Sequence, residues 1–222
     1  MEKRKHIVIL AAGDFPTHPV PLAALREADF VVCCDSAYGG LKPAAPTIAA
    51  DAVVIGDGDS LSEADKMALG DRWIHVAEQD YNDLHKAMQW ATSRFSIRDS
   101  RFSILGATGR REDHAIGNIS YLVTFVEEYP GVDIEMLTDY GCFHAMRGEC
   151  TFAAFPRQQV SIFTMNPNQP IYGTGLKWSL DGFCARRWWQ ATLNEALGTE
   201  FSLRSEGWLV VFLTYEAKQS SI

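Results

Sequence analysis

Four short clusters in the first part of the chain combine residue types that handle phosphate or a hard cation. Asp57 and Asp59 stand one residue apart in Gly56-Asp57-Gly58-Asp59-Ser60. Two carboxylates on a glycine loop can converge on a hard cation, with Gly56 and Gly58 leaving room for a ligand's oxygens. Magnesium commonly takes one or two carboxylates together with waters and substrate phosphates. The same pentapeptide also reads as an acidic, solvated turn. In Gln79-Asp80-Tyr81-Asn82-Asp83 the carboxylates suit helix capping and the helix dipole, and Asp83 in a first turn could also reach a metal. Asp35, followed by Ser36 and by Gly39-Gly40, suits a turn or a ligand cleft. The longest cluster is Gly106-Ala107-Thr108-Gly109-Arg110-Arg111-Glu112-Asp113-His114. Its backbone amides, paired guanidinium groups and following helix start are the parts of an anion site. Its alternative is a solvated basic loop in which Asp113 caps a helix and His114 is structural.

Each cluster must be held by something regular. Ile7–Ala12, Phe30–Cys34, Ala52–Ile55, Trp73–Val76, Phe102–Leu105 and Ile134–Leu137 read as strands. They are continuously apolar rather than alternating, which suits strands covered on both faces, as in parallel sheets. Between them, Leu84, Ala87, Met88, Ala91 and Phe95 make one helical stripe, and Ile116, Ile119, Leu122, Val123 and Val126 make another. Strand–helix alternation predicts an α/β layer with a mostly parallel sheet. Ligands in such sheets sit beyond the carboxyl ends of the strands, and all four clusters directly follow predicted strands.

After about residue 140 the helical period fades. Cys142–Met146 and Cys150–Phe155 flank Arg147-Gly148-Glu149, which reads as a hairpin turn. Val160–Thr164, Phe201–Leu203 and Trp208–Tyr215 are further strands, predicting a smaller all-β unit and domains at 1–140 and 141–222. Within it, Trp178 suits a core position or a ligand platform. Trp188-Trp189 is equally ambiguous, since neighbours on a strand face opposite ways.

The 222 residues are 47% hydrophobic, which excludes disorder and collagen-like repeats. With 20 Lys+Arg against 28 Asp+Glu, the formal charge is -8, without the basic footprint of a general nucleic-acid binder. Phosphate binding would need local arginines, backbone amides or metal ions. No window reaches the roughly 18 apolar residues of a membrane span. Lys3-Arg4-Lys5 before Ile7–Ala12 has the outline of a short signal peptide, but the apolar stretch ends at Gly13-Asp14, so a buried first strand is expected. Five cysteines, with Cys33 and Cys34 adjacent and no CxxC pair, suit reduced thiols in a cytoplasmic protein. Lys218–Ile222 is expected to be a frayed tail.

In their order along the chain, Asp35 with Gly39-Gly40, GDGDS, QDYND, GATGRREDH with Asn118, and Thr174-Gly175-Leu176-Lys177-Trp178 closely resemble thiamine pyrophosphokinase, from Ile7 to Tyr215. The resemblance implies transfer of a diphosphate from ATP to the hydroxyl of thiamine, giving thiamine diphosphate and AMP. It implies a Rossmann-like, mostly parallel sheet domain followed by a smaller β-sandwich, and a homodimer with active sites formed between subunits. Asp57, Asp59 and Asp83 match the family's magnesium and diphosphate carboxylates, and Asp35 and Gln79 match positions lining the same cleft. Arg111 and Asp113 match the arginine and aspartate of the family's GGRxDH loop, with Arg110 standing where its second glycine usually is. The matched motifs also make Asp80, Gly109, Arg110, Asn118, Thr174, Lys177 and Trp178 substrate- or nucleotide-binding positions. The family's thiamine-contacting loop often has Ser-Asn where this chain has Thr192-Leu193-Asn194-Glu195, so Asn194 is retained and Leu193 falls at the serine. Two rivals stand beside this reading. Asp57-x-Asp59-Ser60 superficially resembles the acidic motif of haloacid dehalogenase-like phosphatases, which normally ends the first strand. A non-catalytic thiamine or nucleotide sensor on the same fold is the other.

Overall fold

The structure is a computed structural model that describes residues 4–218. Lys3 of the basic start and the last four residues of the expected tail lie outside the described residues. The chain divides into two compact units, Met1–Asp139 and Tyr140–Ile222.

The first unit is mixed α/β. It runs β1 (Lys5–Leu10), α1 (Pro19–Arg26), β2 (Phe30–Cys34), α2 (Tyr38–Ala44), α3 (Pro46–Asp51), β3 (Val53–Gly56) and α4 (Glu63–Leu69). It continues through β4 (Trp73–His75), α5 (Asp83–Arg94), β5 (Ser100–Leu105), α6 (Glu112–Glu128) and β6 (Asp133–Leu137). The strands lie in the order β6-β5-β1-β2-β3-β4, and every pairing is parallel. Continuous apolar runs give continuous burial: Ile7, Val8, Ile9 and Leu10 are all inaccessible to solvent or nearly so. Parallel pairing with helical crossovers provides such two-sided cover.

The order has one reversal. From β1 the chain adds strands outward as far as β4, then crosses back to place β5 and β6 on the other side of β1. In an open α/β sheet that reversal opens a crevice at the carboxyl ends of the two strands flanking it. The register aligns those ends: Leu10 is level with Leu105 on one side and Cys33 on the other, and Cys34 is level with Ile55.

Helix α5 starts where Asn82 accepts the backbone N–H of His85, and it buries Leu84, Ala87, Met88 and Ala91 as the stripe predicts. Helix α6 departs from expectation. Its buried residues are Leu122, Val123 and Phe125, whereas Ile116 is 52% exposed. His114 and Asn118 of its first turns line a cavity, and burial begins only farther along the helix.

The second unit contains β7 (Gly141–Ala153), β8 (Gln158–Thr164), β9 (Tyr172–Thr174), β10 (Asn194–Glu195) and β11 (Glu200–Ala217). Its strands follow the order β10-β8-β11-β7, with β9 also paired to β11 and every pairing antiparallel. The hairpin expected at Arg147-Gly148-Glu149 is not formed; β7 runs straight through it. Phe201–Leu203 and Trp208–Tyr215 are likewise two parts of the single strand β11. The two turn-like segments meet across the β7–β11 ladder, where the register shifts between Ser205 and Leu209. Gly148 takes φ 80 there, and Arg147 Nε donates to the Glu206 carbonyl at 2.8 Å. A bulge bends a strand without ending it. Long-range pairing has overridden a local turn preference. Val160, Ile162, Leu209 and Val211 form the fully buried centre of this unit, and Phe152 stacks on Phe201 at 5.1 Å.

Candidate functional site

At the strand ends of the first unit a cavity of ≈ 340 Å³ lies at the β1/β5 reversal. Its walls include Ala12 and Gly13 after β1, Asp83 at the start of α5, and Arg110, Arg111 and Asn118 around the β5–α6 loop. Backbone bonds tie the two flanking loops together: Gly13 N–H donates to the Gly106 carbonyl at 2.6 Å and Asp14 N–H to the Thr108 carbonyl at 2.9 Å. Residues 11–13 carried no chemical signal in the sequence. Only the sheet order shows that the segment after β1 belongs to the site.

The polar wall is internally connected. Asn82 donates through Nδ2 to Asn118 Oδ1 at 3.1 Å, and Asn118 donates through Nδ2 to the Ala107 carbonyl at 2.8 Å. One chain of bonds therefore fixes the start of α5, the first turns of α6 and the loop after β5. Arg111 grips Asp113 with two bonds, Nε to Oδ1 at 3.0 Å and Nη2 to Oδ2 at 2.5 Å. That guanidinium holds the Asp113 carboxyl down at about 2. The residue at the α6 N-cap position is Arg111, without a side-chain capping bond, so Asp113 is not the cap. His114 also lines the cavity.

The carboxylates of Asp35, Asp57 and Asp83 form one electrostatic neighbourhood. Burial pushes the Asp83 carboxyl up, the Lys86 ammonium opposes this, and the negative charges of Asp35 and Asp57 push it up further. Asp57 lies on the opposite side of its ordinary value: the Asp59 backbone N–H and the Gln79 amide, donating at 3.1 and 3.2 Å, hold its carboxyl down. Asp35 is 2% exposed. Its Oδ2 accepts the Gly58 N–H at 2.9 Å, while Oδ1 is buried with no partner.

Gly56 and Gly58 do not leave space for a ligand as expected. A Cβ on Gly56 would stand 2.6 Å from that of Asp35, and one on Gly58 would stand 2.8 Å from the Trp73 ring. The glycines let the protein's own side chains pack beneath the loop. Asp59 is exposed, and Asp57, Asp59 and Asp83 do not all three bring an oxygen within 4.8 Å of the other two. Asp80 is exposed, bonded through its N–H to Glu78, and stands outside the cavity. Sequence reasoning missed Lys86. Its ammonium is buried, donating to the Val76 carbonyl at 3.3 Å and lying 3.6 Å from Asp83 Oδ1. Its i,i+3 spacing from Asp83 was the available signal.

In the second unit a cavity of ≈ 400 Å³ is lined by Trp178, Phe183, Thr192, Leu193 and Asn194. Asn194 is buried, and its amide straps Trp178: Oδ1 accepts the Trp178 N–H at 3.1 Å and Nδ2 donates to the Trp178 carbonyl at 2.9 Å. Lys177 Nζ lies 5.0 Å over the Trp178 ring and 3.4 Å from Glu195. Trp178 is 49% exposed, so it is not a core residue. Leu193 is also exposed, at φ 60, and its N–H donates to Ser161 Oγ at 3.0 Å. Thr174, in β9, borders a separate hollow with Tyr172 and Arg204.

Comparison with known proteins adds an independent line. Residues 22–134 match the family described as thiamin pyrophosphokinase, catalytic domain, and residues 141–212 match thiamin pyrophosphokinase, substrate-binding domain. A stretch of 105 residues is 26% identical to thiamin pyrophosphokinase 1 of Caenorhabditis elegans, covering 46% of this chain and 43% of that protein. The chain thus matches less than half the length of that curated relative. In three dimensions it resembles thiamine pyrophosphokinase from Bacillus subtilis, with a TM-score of 0.75 and 21% identity over 96% of this chain and 100% of that one. It also resembles thiamin pyrophosphokinase from Candida albicans, with a TM-score of 0.79 and 16% identity over 96% and 90%. At these identities the structural likeness speaks for the fold alone.

Proposed function

Because this chain belongs to the thiamin pyrophosphokinase family, we propose that it transfers a diphosphate from ATP to the hydroxyl of thiamine, giving thiamine diphosphate and AMP. The observation that carries this reading is the β1/β5 crevice, where Asp83, Arg111 and Asn118 face one cavity beside the Asp35 and Asp57 carboxylates. We read the first unit as the family's Rossmann-like catalytic domain and the second as its β-sandwich, completing the thiamine site in a cytoplasmic homodimer.

The residues fit magnesium. The buried, unpartnered Oδ1 of Asp35, and the Asp83 carboxyl raised by burial and by the Asp35 and Asp57 charges, both describe a site short of positive charge. A hard cation that keeps waters and takes phosphate oxygens needs only one or two carboxylates, so the open spacing of Asp57, Asp59 and Asp83 is compatible with it. Held there, magnesium would supply charge against the phosphates.

The protein's own groups supply the rest. Phosphoryl transfers rely on positioning and on electrostatic stabilisation of spreading charge. The thiamine oxygen attacks the β-phosphorus, the bond from that phosphorus to the α-phosphate oxygen breaks, and AMP leaves. Arg111 steadies the moving diphosphate, and the Asn82–Asn118–Ala107 chain keeps the loop in place. Asp113, held near pKa 2 by Arg111, is too weak a base to take the hydroxyl proton at neutral pH. Of the other cleft carboxylates, Asp35, whose buried Oδ1 has no partner, is the one we assign to that task. Trp178 offers an aromatic face to the cationic thiazolium of thiamine.

Incubation with ATP, magnesium and thiamine, followed by chromatography, tests the proposal. AMP and thiamine diphosphate in equal amounts support it. Release of free phosphate would make the chain a phosphatase, and thiamine or nucleotide binding without product would make it a sensor.

A further inference from the structure

We propose that His85 is a positioning residue for the crevice: its buried ring holds Tyr81 and thereby sets where Asn82 and Asp83 stand against magnesium-ATP; the proposal rests on the ATP-dependent reading above. Residues 77–82, which lead from β4 into α5, are all exposed. Ordering such a stretch costs conformational entropy, and exposed residues gain little burial to offset it. Yet this stretch carries Gln79, bonded to Asp57, and Asn82, bonded to Asn118, and it delivers Asp83 to the cavity wall. Its aromatic residue is Tyr81, 48% exposed. One face of the Tyr81 ring lies on the His85 imidazole, with centroids 4.1 Å apart and planes 14° from parallel.

The imidazole is held more firmly than the segment it supports. His85 is 4% exposed. A carboxylate only accepts, so Nε2 donates to Glu128 Oε2, at 2.9 Å. The rings of Tyr121 and Phe125 lie against the imidazole at 5.6 and 5.8 Å. All three partners belong to α6. The His85 backbone N–H donates to Asn82 Oδ1 at 3.0 Å, so His85 grips Tyr81 by its ring and Asn82 by its backbone. Packing of the residue before a helix cap on the first turn fixes the angle at which the chain enters the helix. Here that angle decides where the Asp83 carboxylate stands on the cavity wall. His85 itself does not line the cavity, so its effect reaches the ligand through Tyr81 and Asn82.

Calorimetric titration of Tyr81→Ala, His85→Ala, His85→Phe and the variant carrying both alanines tests this, with magnesium-ATP and with thiamine as ligands, beside thermal unfolding. Tyr81→Ala and His85→Ala should each weaken magnesium-ATP binding about tenfold and leave thiamine within about twofold. His85→Phe keeps a ring beneath Tyr81 and should hold magnesium-ATP within about threefold of wild type. The double variant should lose no more than the larger single loss, because both changes cut the same tie. Tyr81→Ala should unfold within about 2 °C of wild type, its ring being half exposed, so its lost affinity is not a lost fold. Full magnesium-ATP affinity in Tyr81→Ala, losses that multiply in the double variant, equal losses for thiamine, or a loss in His85→Phe as large as in His85→Ala would overturn the proposal alone. A wild-type protein that binds no ATP would overturn the proposal together with the reading on which it rests.

Discussion

The crevice of the first unit and the Trp178 cavity of the second handle polar groups in opposite ways. In the first, charge is left unmet: Asp35 keeps a buried oxygen without a partner, Asp83 is raised by burial and by the nearby carboxylates, and Arg110 offers free donors. In the second, the Asn194 amide is engaged with the Trp178 backbone, and what faces solvent is aromatic and aliphatic surface from Trp178 and Leu193. On the proposed function this contrast is a division of labour, with the first region taking phosphates and a cation by electrostatics and the second taking a flat heteroaromatic by surface.

The sharpest way to break that contrast is to remove charge from the first region. Asp57→Asn and Asp59→Asn should each lower turnover by several orders of magnitude and leave the melting temperature within a few degrees, since both residues lie on a loop beyond the sheet. Near-normal turnover in both purified variants would take them out of the magnesium site. Arg111→Ala should lower kcat by about a hundredfold, as losing one preorganised charge donor does. The KM for thiamine should barely move, because an interaction made mainly in the transition state lowers kcat. A raised KM with unchanged kcat would give this arginine a binding role instead.

The second region should respond in binding. Trp178→Ala should weaken thiamine about tenfold, through loss of a cation–π face and buried area, and leave ATP affinity unchanged. Equal losses for both ligands would erase the division. Leu193→Ser should have the smallest effect. Leu193 is 59% exposed, so no core cavity opens, and the unfolding temperature should stay within about 2 °C. If Leu193 stands at the family's serine position, the new hydroxyl should tighten thiamine binding a few-fold, the scale of one neutral hydrogen bond. A large fall in melting temperature would show that Leu193 contributes packing that its exposure does not reveal.

The two units also differed in how far they could be read from sequence. The central parallel strands were legible because burial on both faces leaves apolar runs such as Ile7-Val8-Ile9-Leu10, whereas β4 has no buried residue and β6 is interrupted by Glu135. The first unit's clusters were legible because carboxylates and glycines gather where such runs end. Strands β7 and β11 were each read as two pieces, since Gly148 and Gly207 look like punctuation and only their mutual pairing holds the chain extended. Helices α2 and α3, of seven and six residues, are too short to express a period. At the site, residue types identified Asp57, Asp83 and Arg111. They did not identify Ala12 and Gly13, which enter through the sheet order, or the Lys86 ammonium, whose burial cannot be inferred from its place in α5. Nor could sequence show that Gly56 and Gly58 yield space to Asp35 and Trp73 rather than to a ligand.

On the proposed function this protein moves two phosphates together, with the first unit holding the chain of phosphates while the thiamine oxygen attacks the β-phosphorus. ATP labelled separately at its α-, β- and γ-phosphorus, incubated with thiamine and magnesium, tests this most directly. The account predicts that the α label stays in AMP while the β and γ labels appear together in thiamine diphosphate, with no thiamine monophosphate formed on the way. The γ label in thiamine monophosphate alongside ADP, or any label as free phosphate ahead of a thiamine product, would contradict it.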